Sequence, residues 1–378
     1  MKTHLAHLMF SKRLSWLNSL NKYKNMIFVG VAAFYLGCSA TLSIMQMDCQ
    51  CTATKIQKMT ERVEYPVIVL SGPNNEDKRD AIRATWAKLA NNIFVENGET
   101  LFKWNCNGTK SISELNIIKI YFIIGAAGLT DVQLSKLTAE QKRHNDVVLI
   151  DNLEDSYKNL AQKMLLTLTW VNEKLSGYKY LVKCDDDSFV RIDLIVKDLE
   201  AFGPDMSALE ISKYVTFKSF QHTQPNNKKH RGLYWGYFDG RARVYQSGKW
   251  QEQDWFLCDT YLPYALGGAY VISSGIIDYV ALNGQYYSTY RSEDVSMGVW
   301  TAALDNINRV HDIRFDTEWK SRGCDAHMLV RHKQTPKDMY EMYDTLVHSQ
   351  GKSLCKNEST VRKFYHYNWD VLPSKCCK

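Results

Sequence analysis

The chain has 378 residues, of which 45% are hydrophobic, and a formal net charge of +6. This length and apolar content suit one large α/β domain or two smaller ones, and they exclude a disordered protein. Five of the six excess positive charges precede Asp48, so the rest of the chain is nearly neutral. These charges belong to Lys2, Lys12, Arg13, Lys22 and Lys24. We expect no nucleic acid partner, since such binding requires a clustered basic face.

An uncharged apolar run from Met26 to Met47 is long enough to cross a membrane as a helix. Basic residues precede the run and an acidic residue follows it, which places the N-terminus in the cytosol. A cleaved signal peptide is the alternative, but the run is longer than the usual apolar segment of such a peptide. We predict four segments: a cytosolic tail at 1–25, a signal anchor at 26–47, a stem at 48–62 and a lumenal catalytic domain at 63–378.

Ten cysteines and two N-glycosylation triplets favour the secretory pathway. Cys49 and Cys51 are too close for a zinc site and Cys376 adjoins Cys377, so we expect disulfide bonds in a lumenal compartment. Seven cysteines lie beyond the stem, so at least one is free or pairs with a stem cysteine or another chain. The triplets begin at Asn107 and Asn357.

Apolar runs that alternate with helical patterns predict an open, mostly parallel α/β sheet with flanking helices. Such sheets bind ligands beyond the carboxyl ends of their strands. No glycine-rich dinucleotide or P-loop motif follows any predicted strand, which excludes both kinds of nucleotide site. The predicted strands are 66–70, 117–125, 146–151 and 178–184; the helices are 77–89 and 156–175; and 91–114 is a surface insertion.

Three adjacent carboxylates, Asp185, Asp186 and Asp187, follow a predicted buried strand. Their mutual repulsion requires a positive charge among them. Two carboxylates with one residue between them bind a hard divalent cation, which in turn bridges to a diphosphate. Asp187 also suits a helix N-cap, although a cap needs one such residue rather than three.

A second acidic cluster, Glu293 and Asp294, precedes an apolar run and is also typical of a plain helix start. The helix dipole holds a carboxylate ionised at this position, which suits a general base. Gly267 and Gly268 suit either close approach to a ligand or a tight turn. His332 has no local signal that distinguishes it from a structural histidine.

Aromatic residues are concentrated between the predicted sites. Aromatic faces stack on sugar rings, but they are more often part of a hydrophobic core, and the sequence leaves both interpretations open. The residues are Tyr234, Trp235, Tyr237, Phe238, Trp250 and Trp255.

Five blocks, read in order, resemble the β-1,3-glycosyltransferases: "RDAIRATW" from Arg79, "DSYKNLAQK" from Asp155, "KCDDDSFV" from Lys183, "YALGGAYVIS" from Tyr264 and "SEDVSMG" from Ser292. The resemblance runs from about residue 65 to the C-terminus. The resemblance implies that this chain, like the enzymes of that family, is an inverting, metal-dependent Golgi enzyme with a nucleotide-sugar-binding fold of the GT-A type.

Within the family, the likeness is greatest to the galactosyltransferases of the glycosaminoglycan linker. It rests on "LYWGYFDGRARV", "YLPYALGGAYV", "HDIRFDTEWKSRGC" and the terminal cysteine pair. Cys184, directly before the carboxylate triplet, and the long 91–114 insertion depart from the family pattern.

Carried over by position, the resemblance implies that Asp294 is the catalytic base, with Glu293 the second candidate. Asp187 would be the more direct ligand of Mn²⁺, and Asp186 would face the ribose. The implied metal ligands are Asp185, Asp187 and His332. The implied donor-binding residues are Arg79, Arg83, Asp155, Lys163, Asp185 and Asp186. The implied acceptor-binding residues are Trp235, Tyr264, Gly268 and Glu293.

The expected reaction is inverting transfer of galactose from UDP-galactose to the 3-hydroxyl of galactose in Gal-β1,4-Xyl-protein. The resemblance implies a single-pass type II protein of the Golgi membrane that associates with other linker glycosyltransferases. Two alternatives stay open: a β-1,3-N-acetylhexosaminyltransferase of the same fold, and a non-catalytic Golgi protein that binds glycans. Intact Asp185, Asp187 and Asp294 argue against the second.

Overall fold

The computed structural model describes residues 60–96, 99–104, 117–203, 214–218, 232–305 and 307–377, with helical residues 26, 28–29 and 31–37 near the N-terminus. Among the residues described, no helix has the length and apolar character needed to cross a membrane. Most of the predicted tail, anchor and stem lies outside the described residues, and so does the triplet at Asn107.

The strands of the described chain are mostly short. In chain order they are β1 (Glu61–Arg62), β2 (Tyr65–Leu70), β3 (Ile93–Glu96), β4 (Glu99–Phe102), β5 (Ile118–Ala127), β6 (Val147–Glu154), β7 (Leu175–Ser176), β8 (Tyr180–Asp185), β9 (Phe189–Val190), β10 (Val215–Lys218), β11 (Gly232–Asp239), β12 (Tyr264–Ser273), β13 (Ile307–Asp312), β14 (Phe315–Asp316), β15 (Gly323–Cys324), β16 (Val330–Arg331) and β17 (Ser359–Thr360).

The helices flank these strands. They are α1 (Glu76–Ala84), α2 (Asp131–His144), α3 (Leu160–Lys174), α4 (Ile192–Phe202), α5 (Ser274–Asn283), α6 (Glu293–Ala302) and α7 (Pro336–His348). The predicted helix over 77–89 is thus α1 followed by a 3₁₀ turn, Trp86–Asn92. Part of the predicted surface insertion forms a hairpin of β3 and β4.

An eight-stranded sheet occupies the centre of the unit formed by residues 60–378, in the order β10-β13-β11-β12-β8-β2-β5-β6. Strands β8, β2, β5 and β6 pair in parallel, as the strand–helix alternation predicted. Strand β12 is antiparallel to both β8 and β11, and β10 is antiparallel to β13, whereas β11 and β13 are parallel. The prediction of a mostly parallel sheet therefore holds for one half only. Residues 240–263 join β11 to β12 without a crossover helix, so the chain returns antiparallel.

The parallel half directs the carboxyl ends of β2, β5 and β8 to one edge of the sheet. Leu70 pairs with Asp185 on one side and with Ile123 on the other, so these three strand ends lie side by side. The strands are apolar and buried, which leaves the polar residues after each strand end to form the site.

Trp235 lies in the hydrophobic core and is fully buried. Its Nε1 donates a hydrogen bond to Asp312 Oδ2 at 3.0 Å, and Phe315 packs edge-on to its ring at 5.2 Å. The predicted stacking of Trp235 on an acceptor sugar is therefore wrong, because the ring has no exposed face. Tyr234, Tyr237 and Phe238 are equally buried.

Two disulfide bonds occur among the described cysteines, Cys324–Cys355 and Cys376–Cys377. The prediction of disulfides is confirmed, and two further described cysteines form no bond with another described cysteine. Cys184, beside the acidic triplet, is a buried free thiol, and Cys258 is an exposed one. Asn357 is exposed, as a glycan acceptor must be.

We expect Trp235→Ala to lower the free energy of unfolding by about 3–5 kcal/mol, because it leaves a large cavity in the core. Trp319, which is 74% exposed, provides the matched control, and Trp319→Ala is expected to change stability by less than about 0.5 kcal/mol. Urea unfolding followed by circular dichroism measures both values. Similar losses in the two variants would contradict the core assignment.

Candidate active site

His332 reaches the acidic triplet through a small three-stranded sheet. Strand β16 pairs with β9, which follows the triplet directly, and with β14 on its other side. Two residues beyond His332, the backbone N–H of Gln334 donates to the carbonyl of Asp187 at 2.8 Å. The long-range pairing thus brings His332 beside carboxylates that precede it by about 145 residues.

Asp185, Asp187 and His332 form a cluster whose possible ligand atoms all lie within 4.8 Å of one another. His332 Nε2 is 3.0 Å from Asp187 Oδ1 and 3.4 Å from Asp185 Oδ2. This nitrogen is buried and makes no hydrogen bond of acceptable geometry, so it lies between two carboxylates without being satisfied by either. Two carboxylate oxygens and one imidazole nitrogen suit a divalent cation, and the three residues fit a metal site.

The electrostatics of the cluster depend on its two carboxylates. Burial alone would lower the pKa of His332, but Asp185 and Asp187 raise it to about 9. Burial would raise the pKa of Asp187, but His332 lowers it. A divalent cation held by these residues would take the place of the imidazole proton, because only the neutral ring ligates.

Gly268 allows His332 to approach the strand. A Cβ added at Gly268 would lie 2.7 Å from His332 Cγ, and one at Gly267 would lie 3.2 Å from Asp294 Oδ2. The two glycines of β12 therefore admit the metal-site histidine and the acidic pair at close range. The close approach is to protein side chains, and the register of the β11–β12 pair also shifts at these glycines, so a strand irregularity is present as well. The close approach makes Gly268 a residue that supports the metal site, while its predicted contact with the acceptor stays a prediction.

Asp186 turns away from the metal cluster toward the end of β2. It accepts hydrogen bonds from Ser71 Oγ at 2.9 Å, Asn75 Nδ2 at 2.7 Å and Lys78 Nζ at 2.9 Å. The middle carboxylate thus fastens the loop before α1 to the triplet. Its predicted contact with a ribose stays a prediction.

Asp155 and Lys163 form a buried ion pair at the same sheet edge. Lys163 Nζ lies 2.7 Å from Asp155 Oδ2 and donates to the carbonyl of Ser71, also at 2.7 Å. The N–H of Gly125 donates to Asp155 Oδ2 at 2.8 Å. The pair therefore ties the ends of β2, β5 and β6 to α3, and its predicted contact with the donor stays a prediction.

Arg79 and Arg83 pair with carboxylates of the protein. Arg79 is fully buried and holds Glu140 through two hydrogen bonds of 2.8 and 2.7 Å. Arg83 contacts Asp80, Glu140 and Asp146 at 2.7–2.8 Å. In this structure both guanidinium groups join α1 to α2, and contact of either with a donor phosphate stays a prediction.

Lys183 is the central cation of the site, although the sequence analysis did not select it. Its side chain is 1% exposed, and its Nζ lies 3.0 Å from Asp185 Oδ1 and 2.8 Å from Glu293 Oε2. It also donates to the carbonyl of Gly267 at 2.6 Å. The positive charge that the triplet requires is therefore supplied in part by the strand itself. A lysine within an otherwise apolar strand was the available signal.

Glu293 and Asp294 begin α6, as predicted, and differ in exposure. Glu293 is buried and accepts hydrogen bonds from Lys183 and the hydroxyl of Tyr270. Burial raises its pKa to about 7 despite the charge of Lys183. Asp294 is partly exposed and accepts from the N–H groups of Gly267 at 2.8 Å and Val295 at 2.9 Å. Burial raises the pKa of Asp294 as well, against the opposing charge of Lys183.

The segment between β11 and β12 supplies aromatic side chains near the site. Trp255 packs against Tyr261 and Tyr290, in a cluster that also contains Tyr264. Trp250 lies edge-on to the exposed Tyr157 at 5.7 Å, two residues after Asp155. Tyr264 itself is buried, and its predicted contact with an acceptor stays a prediction.

Comparisons with known proteins agree with this geometry. A sequence model of the galactosyltransferase family matches residues 77–312. Beta-1,3-galactosyltransferase 6 of Mus musculus is 39% identical over 312 residues, which cover 82% of each chain. UDP-GalNAc:beta-1,3-N-acetylgalactosaminyltransferase 2 of Xenopus laevis is 32% identical over 58% of this chain, which spans 38% of that protein. The apo structure of the bifunctional enzyme WbbM matches with a TM-score of 0.30 and 10% identity over 65% of this chain and 38% of its own, too weakly to support an argument.

We expect Gly268→Ala to weaken binding of a divalent cation by roughly 10–100-fold, because the new methyl group displaces the His332 ring. Titration with Mn²⁺ followed by electron paramagnetic resonance measures the affinity. Gly275→Ala is the matched control, since a Cβ at Gly275 meets no atom within 4 Å. Unchanged Mn²⁺ affinity in Gly268→Ala would contradict the assigned role of this glycine.

Lys183→Met is expected to lower the free energy of unfolding by about 3–5 kcal/mol, because it leaves Glu293 buried without its cation. Lys179→Met removes an ion pair with Glu200 from a lysine that is 47% exposed, and we expect a loss below about 1 kcal/mol. The double variant Lys183→Met/Glu293→Gln should recover part of the stability. Urea unfolding measures all three, and no recovery in the double variant would argue against the pairing.

Proposed function

The chain belongs to the galactosyltransferase family, and on that premise we propose that it transfers galactose from UDP-galactose to the 3-hydroxyl of the galactose in Gal-β1,4-Xyl-protein. The transfer inverts the anomeric carbon. The product extends the linker on which glycosaminoglycans are built. The 39% identity to the mouse beta-1,3-galactosyltransferase supports both the sugar and the linkage.

The observation that carries the mechanism is the position of Asp294 at the start of α6. Two backbone N–H groups hold its carboxylate in one orientation, and it is partly exposed. Burial raises its pKa, which makes it a stronger base when it is ionised. Glu293 is enclosed by Lys183 and Tyr270, which supports Asp294 as the group that meets the acceptor.

In the proposed reaction, Asp294 takes the proton from the acceptor 3-hydroxyl as the oxygen forms its bond to the anomeric carbon. The bond between that carbon and the UDP oxygen breaks on the opposite face, and UDP leaves. Inversion requires one base and no covalent intermediate. Lys183 contacts the neighbouring Glu293 and Asp185, so its charge offsets part of the negative charge beside the base.

Asp185, Asp187 and His332 would hold Mn²⁺. When bound, this ion acts as a Lewis acid that offsets the charge of the departing diphosphate. Asp155 and Lys163 would position the uridine side of the donor, because they tie the three parallel strand ends together. Lys78 lies beside Asp186 and adds a positive charge at the same edge.

We place the enzyme in the Golgi membrane as a single-pass type II protein with its catalytic domain in the lumen. The apolar run at 26–47, the basic residues before it and the two glycosylation triplets support this location. Association with other enzymes of linker synthesis is part of the same proposal.

The test is a donor panel with the full-length protein, Mn²⁺ and a Gal-β1,4-Xyl acceptor. We expect UDP-galactose to be used in preference to UDP-GlcNAc and UDP-GalNAc, with a β1,3 linkage in the product by NMR. Asp294→Asn should reduce turnover by roughly 10²–10⁴-fold and leave Mn²⁺-dependent UDP binding intact. Preference for UDP-GalNAc would instead support the activity named for the Xenopus laevis relative. Normal turnover by Asp294→Asn would remove the base from its role.

A further inference from the structure

A cleft of about 370 Å³ lies against α7. His332 and Lys333 line it, and Lys333 Nζ is also 3.2 Å from Asp187 Oδ2. The cleft therefore adjoins the metal cluster. Its other lining residues include Ser321, Arg331, Met342 and Lys356.

Arg331 is the unusual group in this cleft. Its Nη1 contacts only the sulfur of Met342 at 3.5 Å, and its Nη2 is 3.4 Å from Ser321 Oγ. Its Nε is buried and has no hydrogen-bond acceptor among the described residues. Several other buried or half-buried arginines hold carboxylates, namely Arg79, Arg83, Arg191, Arg314 and Arg322. Half-buried Arg309 forms no ion pair with a described residue, but its Nη2 donates to the carbonyl of Thr301 at 2.6 Å.

None of the described carboxylates near Arg331 forms an ion pair with it. Glu341 lines the same cleft and lies 3.9 Å from Lys337 Nζ. Asp338 accepts hydrogen bonds from the N–H and hydroxyl of Thr335 at 2.9 and 2.7 Å. Asp316 accepts from Arg322 Nε at 3.0 Å and from Ser321 Oγ at 2.7 Å. The guanidinium thus keeps donors that the protein does not use, and burying such donors unpaired costs free energy.

We propose that Arg331 forms a subsite for an oxyanion, namely a phosphate, sulfate or carboxylate group, at the edge of the active site. A guanidinium offers a planar fork of N–H donors that matches two oxygens of such a group. Lys356 adds a second positive charge at the exposed mouth of the cleft. The oxyanion is either carried by the acceptor close to the reacting galactose or free in solution; the first case rests on the function proposed above.

The first experiment measures sulfate binding to the metal-free, full-length protein by calorimetry at constant ionic strength. We expect Arg331→Met to weaken sulfate binding by about 10–100-fold and Arg331→Lys by less, since a lysine keeps the charge but loses the fork. Arg143→Met, which removes an exposed arginine paired at 3.7 Å with Glu76, should bind like the wild type. Equal binding by Arg331→Met and the wild type, or displacement of sulfate by UDP and Mn²⁺, would overturn the proposal.

The second experiment compares KM for two acceptors that differ only in a phosphate group near the galactose. If the acceptor carries the oxyanion, the wild type should prefer the phosphorylated acceptor by roughly tenfold, and this ratio should approach one in Arg331→Met. If the wild type shows no preference between the two acceptors while sulfate binding still depends on Arg331, the subsite serves a free oxyanion. A preference that persists in Arg331→Met would overturn the subsite. Absence of any transfer would contradict the proposed function and leave the sulfate result standing.

Discussion

The buried ammonium group of Lys183 is the interaction on which the rest of the site depends. It is shared by a carboxylate of the metal cluster, Asp185, and by Glu293 at the start of α6. It also binds the carbonyl of Gly267, whose N–H group holds Asp294. One cation therefore links the candidate metal cluster to the proposed general base. Without it, three acidic residues would face one another in a region of low dielectric.

Backbone proximity is the second constraint. Gly267 and Gly268 bring β12 so close to the acidic pair and to His332 that a side chain at either position would occupy their space. Buried ion pairs near the ends of the parallel strands also stabilise this arrangement. The pair of Lys163 and Asp155 joins three strand ends, and Arg79 joins two helices through Glu140. These contacts hold the candidate site in a rigid frame, which the proposed reaction requires because its base must meet one hydroxyl.

Much of the site was predictable because its residues stand at recognisable points of regular structure. Asp185 ends a buried strand and Asp294 begins a helix, and both positions follow from local apolar patterns. The same patterns failed for the second half of the sheet, where β11 and β12 are joined without a helix. They also could not locate Trp235 in the core, because composition cannot distinguish an aromatic residue of the core from one that stacks on a sugar. Lys183 was missed since its partners come from β12 and α6, far along the chain.

By itself, the sequence determined the four strands of the parallel half and two of its helices, where the carboxylates fall along the chain, and which family the chain resembles. These are properties of local pattern and of residue order. Only the tertiary structure decided which charges meet: that Asp186 binds Lys78, that Arg79 and Arg83 hold Glu140, and that Arg331 holds no described carboxylate. The physical reason is that ion pairing depends on separations of a few ångströms between residues as many as 150 positions apart, and those separations exist only after the sheet has formed.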